Sequence, residues 1–132
     1  MHRIALILLC VLLMACNTAG RGFGGLPATR VTEGGATFDL RRQGDLVEAI
    51  RVSKHALPRY DWVAQRAALA AFRTYGCTPD WALGDPSVVR LGLACDGRAA
   101  PRAPPGKEVL VCDVTAWRVP GQALAEGQMI CR

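Results

Sequence analysis

A chain of 132 residues with 16 Lys and Arg against 11 Asp and Glu carries a formal charge of +5, and 51% of it is hydrophobic. That length holds one domain with a modest core and excludes a pair of them. The cations are spread along the chain, Arg41-Arg42 and Arg132 among them, with no run of five or more, so the pattern predicts a solvated surface; the functional alternative is a patch for anionic lipid headgroups or cell-wall polymers.

Met1-His2-Arg3 gives a short positive start, and Ile4 through Met14 is an uninterrupted apolar run closed by Ala15 and Cys16. A charged start, an apolar stretch of about 7–15 residues and a small-residue cleavage site make a secretory signal. A transmembrane helix needs about 18 or more apolar residues, and this run gives way to Asn17, Gly20 and Arg21. Leu13-Met14-Ala15-Cys16 resembles the lipobox of bacterial lipoproteins. The resemblance implies that the Cys16 thiol receives a diacylglycerol, that cleavage falls before it, and that Cys16 becomes the lipidated first residue. Asn17 in place of Asp implies, by the same resemblance, an outer-membrane address facing the periplasm. Ordinary cleavage after Ala19 is the second reading. The resemblance covers the leader and nothing beyond it. Nucleic acid is not an expected partner for an exported chain.

Asn17 to Gly35 contains six glycines and Pro27, and so few apolar groups cannot offset the entropy of ordering them; the segment reads as a tether. Its Gly20 to Gly25 piece lacks the preceding strand and following Lys-Ser/Thr pair of a phosphate loop. Thr37 to Ser53 predicts a β-hairpin, with Phe38 and Leu40 alternating against Asp39 and Arg41 and a turn at Gln43-Gly44-Asp45. Glu48 breaks the alternation of the second strand, which an edge position would tolerate.

Arg59 to Gly76 predicts a helix capped by Asp61 and ended by Gly76. Its stripe is Trp62, Leu69 and Phe72, with Val63, Ala67, Ala70 and Ala71 beside it. Thr78 to Pro86 reads as a loop in which Trp81 plugs the edge of the core. Val88 to Cys95 is a strand, and Gly97 to Gly106 a stiff, exposed connector with Pro101, Pro104 and Pro105. Lys107 to Thr115 is apolar on both faces, hence central, and Gln128 to Arg132 adds a short last strand. These elements predict an α+β domain: a small antiparallel sheet of four to five strands, one helix packed on one face, and pairing between residues 88–95 and 107–115. The expected organisation is a signal peptide at 1–15, a tether carrying lipidated Cys16 at 16–35, and one disulfide-stapled domain at 36–132.

Cys77, Cys95, Cys112 and Cys131 are an even number in an exported chain, and none forms a Cys-x-x-Cys pair. Two disulfides are therefore favoured over a zinc site. Three connectivities are open; Cys77–Cys95 with Cys112–Cys131 is preferred, because a last strand folded back on its neighbour puts Cys112 roughly opposite Cys131. Cys77–Cys131 with Cys95–Cys112 is the runner-up.

Chemistry has little to draw on. Beyond the leader the chain has one histidine, His55, and two serines, Ser53 and Ser87. Ser53 lies two residues from His55 but has no nucleophile elbow around it. Asp80, Asp85, Asp96 and Asp113 could supply a carboxylate pair, yet three of them stand where turns favour Asp for backbone reasons. No metal, nucleotide or flavin motif is present, so no cofactor is expected. The leading expectation is a non-catalytic, membrane-anchored module that binds a partner protein or an envelope polymer. The alternative is a small cell-wall-modifying or hydrolytic enzyme using His55 with a carboxylate.

Overall fold

The computed structural model describes residues 18–105, 109–116 and 127–132. The leader, with Cys16, lies outside them. Among the described residues, seven strands and one helix follow in chain order: β1 (Thr29–Glu33), β2 (Ala36–Gln43), β3 (Leu46–Arg51), α1 (Tyr60–Tyr75), β4 (Thr78–Gly84), β5 (Val88–Ala94), β6 (Leu110–Ala116) and β7 (Gly127–Cys131). Every pairing is antiparallel, the spatial order is β1-β2-β3-β5-β4-β6-β7, and α1 packs across one face. The α+β architecture with two disulfides is as expected. The sheet has seven strands rather than four to five.

The first added strand comes out of the expected tether. Thr29, Val31 and Thr32 are β-branched, and Gly34-Gly35 joins β1 to β2 as a two-residue turn with φ of 54° and 84°. Two consecutive positive φ values suit the right-handed twist of a hairpin and demand glycine. The low apolar content of residues 16–35 predicted a free chain; residues 29–33 are ordered instead because β2 supplies their hydrogen-bond partners.

The second added strand is β4, where a loop was expected. Pro79 and a register shift between Pro79 and Trp81 interrupt the alternation that marks a strand. With β4 in place, residues 88–95 do not pair with 107–115. β4 stands between them, pairing with β5 over most of its length and with β6 at Trp81 and Ala82. Pro79 lies outside that short β6 ladder, which suits a residue with no N–H to donate. β6 is not apolar and buried on both sides either: Val111 is 55% exposed.

Between α1 and the sheet lies the core: Phe38, Leu40, Val47, Ala49, Val89, Leu91 and Leu93 from the strands against Val63, Ala64, Ala67, Ala68, Ala70 and Ala71. The buried stripe of the helix is thus its small residues, and Trp62, Phe72 and Tyr75 flank it half-buried. Alanine lets the helix axis come close to the sheet, so bulky side chains splay to the rim. Gly76 ends the helix as expected, at φ 69°, donating its N–H to the Phe72 carbonyl at 2.8 Å. Asp61 does not cap the start. No side chain does, and the Asp61 carboxylate in the first turn is bound by Arg59 at 2.7 and 3.2 Å.

Both disulfides close on the helix side. Cys77–Cys95 and Cys112–Cys131 have Cα separations of 4.7 and 4.1 Å. Val111 and Arg132 exchange both backbone hydrogen bonds, so Cys112 and Cys131, the next facing residues, form a close, non-hydrogen-bonded pair.

Candidate functional site

The face of the sheet away from α1 collects the charges. Side chains alternate along a strand, so with Val47 and Ala49 against the helix, Glu48 and Ile50 point the other way. The register places Arg41 on β2 and Arg90 on β5 directly across from Glu48. β3 is central, between β2 and β5, so the expectation that Glu48 marks an edge strand fails. Burial of its carboxylate is met by partners. Both oxygens accept the Gly20 N–H, at 2.9 and 3.1 Å, and the Arg90 Nε stands 3.9 Å away. Asp39, 3% exposed on the same face, is held by the Arg30 fork at 2.7 and 2.8 Å. That carboxylate raises the Arg30 pKa further, by hydrogen bonding first and by charge second.

Two irregular segments cover this face. One is residues 18–28, in which the Phe23 N–H bonds the Gly20 carbonyl at 3.0 Å and Phe23, 3% exposed, lies under the Arg90 guanidinium. A Cβ on Gly20 would run into the Glu48 carboxylate and the Arg90 guanidinium, so a larger residue here would have to push both side-chain ends aside. The other is the proline connector, which is not free in solvent throughout: the Pro101 carbonyl accepts the Trp81 indole N–H at 2.6 Å. Gly92, opposite Trp81, has no room for a Cβ beneath that indole. An open cavity of about 330 Å³ remains between Leu83, Val88, Arg90 and Pro104-Pro105.

His55 stands elsewhere, on the loop leading into α1. It is exposed, and its ring stacks on Trp62 at 4.8 Å between centroids, while the Arg66 guanidinium lies 3.8 Å from the Trp62 ring centroid. A groove of about 280 Å³ opens here, lined by His55, Leu57, Arg59, Asp61 and Gln65 among others. Leu57 is 95% exposed at φ 48°, a left-handed conformation unusual for leucine. Asp61, the groove's carboxylate, is engaged by Arg59. Ser53 does not meet His55 either: its Oγ accepts the Thr37 N–H at 3.1 Å.

The four candidate aspartates disperse. Asp85 accepts the Ser87 and Val88 N–H groups at 2.7 and 3.1 Å, Asp96 faces Arg98, Asp113 binds Arg132, and Asp80 is exposed on β4. His55→Ala should shift the urea midpoint by the equivalent of no more than about 1 kcal/mol, the worth of one exposed ring contact.

The four cysteines expected in disulfides are so engaged. Sequence reading missed Arg42, whose guanidinium reaches Cys95 Sγ at 3.4 Å, Cys77 Sγ at 3.8 Å and Asp45 at 3.4 Å, and lies 5.2 Å from the Tyr75 ring centroid. Burial pushes the Tyr75 hydroxyl pKa up, with Arg42 pulling against it. Both sulfurs are already bonded to each other, so Arg42 packs a staple and activates no thiol. Among the described residues no group of three or more His, Cys, Asp or Glu is placed to hold a metal ion, and no helix is long and apolar enough to cross a membrane. Comparison with known proteins finds no matching family model, no similar curated protein and no similar solved structure.

Proposed function

We propose that the protein is an envelope lipoprotein, anchored through lipid on Cys16, whose domain is a non-catalytic binding or structural module for a partner protein or an envelope polymer. The leader carries this reading: a positive start, an apolar run from Ile4 to Met14, and Leu13-Met14-Ala15-Cys16 at its end. Two disulfides in so small a domain suit an oxidising compartment. Asn17 after the cysteine favours the outer membrane, facing the periplasm.

Cys16→Ala tests it. The wild type should take up labelled fatty acid and sediment with membranes, because several acyl chains hold where a single one is marginal. The variant should take up none and move to the soluble fraction. Unlabelled wild type, together with a variant that still sediments, would sink the proposal.

A further inference from the structure

We infer that the domain is not carried on a slack tether: it is held against its membrane with the Glu48 face of the sheet toward the lipid and α1 away from it, and anionic phospholipid headgroups meet Arg21 and Arg102. The inference rests on the lipid-anchor reading of Cys16.

Gly20 is the fixed point. Its N–H is bound by both oxygens of the Glu48 carboxylate, on a residue that is itself 0% exposed, and a Cβ there would displace that carboxylate and the Arg90 guanidinium. Three residues on, Phe23 is buried against the same face. Gly20 lies four residues after Cys16, and four residues span at most roughly 14 Å when fully extended. The lipid therefore has to enter the bilayer within that distance of the Glu48 face.

The opposite orientation is out of reach. A helix with its side chains is about 10–12 Å across and packed layers lie about 10 Å apart, so with α1 down Gly20 would stand roughly 20 Å above the membrane. The chain could not bridge that gap.

Charge agrees with reach. Arg21 and Arg102, both exposed, lie on the two segments that cross this face, and the Arg90 side chain between them is 41% exposed. The acids of the face are engaged: Glu48 is buried under Gly20 and Arg90, Asp39 is forked by Arg30, Asp85 at the rim is bound by two backbone N–H groups, and Asp113, farther along the face on β6, is paired with Arg132 at 2.9 Å. What the face presents outward is cationic, and an anionic surface attracts such groups within about one Debye length, roughly 8–10 Å. One consequence concerns the other side: the groove of His55, Trp62 and Gln65, on the helix layer, is presented away from the membrane, where a partner can reach it.

Energy transfer on the lipidated, full-length protein in vesicles tests this. A fluorophore is introduced through a non-natural residue, leaving the cysteines and both arginines untouched, at Pro104, exposed on the same connector, or at Gln65, with a headgroup-labelled lipid as acceptor. In vesicles containing phosphatidylglycerol, transfer from position 104 should exceed that from position 65 several-fold. A Gly-Ser spacer of about twelve residues between Asn17 and Thr18 leaves the Gly20 clamp intact but lengthens the reach. In neutral phosphatidylcholine it should bring the ratio close to one, and phosphatidylglycerol should restore part of the difference. Equal transfer from both positions in bound, Cys16-acylated wild type overturns the orientation and leaves the anchor standing. A spacer variant indifferent to lipid charge overturns the headgroup contact. Absence of acyl chains on Cys16 in the mass spectrum, with no vesicle binding, overturns the anchor reading and the orientation with it.

Discussion

Glu48→Ala is expected to destabilise the domain by about 3 kcal/mol, within the range for emptying a buried site and stripping its hydrogen-bond partners. The side chain is wholly buried on a central strand, and its carboxylate is the acceptor for the Gly20 N–H. Alanine leaves that donor unpaired and opens space beneath the segment that Phe23 plugs. The Arg90 contribution is to be discounted, because its guanidinium is 3.9 Å away on a side chain 41% exposed to water. Glu48→Gln separates the two effects. Its amide oxygen can still accept from Gly20 while the volume is kept, so a loss of about 1 kcal/mol is expected. Urea midpoints measure both, and hydrogen exchange at Gly20 reports the clamp itself. Equal stability of Glu48→Ala and wild type would show that the Gly20–Glu48 contact holds nothing in place.

Which parts were legible in the sequence follows from how far apart the determining partners lie. The β2–β3 hairpin was visible because Phe38, Leu40 and the Gly44-Asp45 turn carry the signal within a few residues of one another. The end of α1 at Gly76 was visible for the same reason, and so was the facing of Cys112 and Cys131 once β7 was folded back on β6. β1 was hidden because six glycines dilute its segment, and what orders it is β2 rather than its own composition. β4 was hidden because Pro79 and the shift at Trp81 disguise its alternation. Glu48 gave a signal, a charge out of phase on an apolar face, but its meaning depended on Gly20, 28 residues earlier. The sequence alone could place neither the Gly20 contact nor the Arg42 guanidinium over Cys95, 53 residues away. The groove at His55 was half-legible: a lone histidine in the stretch leading to Pro58 reads as an exposed loop residue, but its stacking on Trp62 required the helix to put its alanines inward and its tryptophan at the rim.

The two staples should fail in different ways. Each joins cysteines 18 or 19 positions apart, and the chain-entropy model assigns about 3 kcal/mol to closing a loop of that size. Equal entropy does not mean equal consequence. Cys77–Cys95 ties the exit of α1 to the end of β5, across β4, at positions 7% and 2% exposed in the main core. Replacing both with alanine should lower the urea midpoint reported by every probe together, since helix and sheet lose the link that keeps them in register. Cys112–Cys131, at 6% and 3% exposed, lies in the same core but within the β6–β7 ladder, which joins the rest of the sheet through the pairing of β6 with β4 at Trp81 and Ala82 and otherwise leans on α1. Without that bridge the hairpin can part while β1 to β5 stay folded. Hydrogen exchange should then speed up about 100-fold at the Val111 and Arg132 amides, which bond each other's carbonyls, the factor corresponding to about 3 kcal/mol of local protection. Amides of β2 and β3 should keep their wild-type rates. If the Cys112→Ala/Cys131→Ala protein instead loses protection evenly across all seven strands, the hairpin is an integral part of the global unit, and the separation drawn from its narrow contact with β4 is wrong.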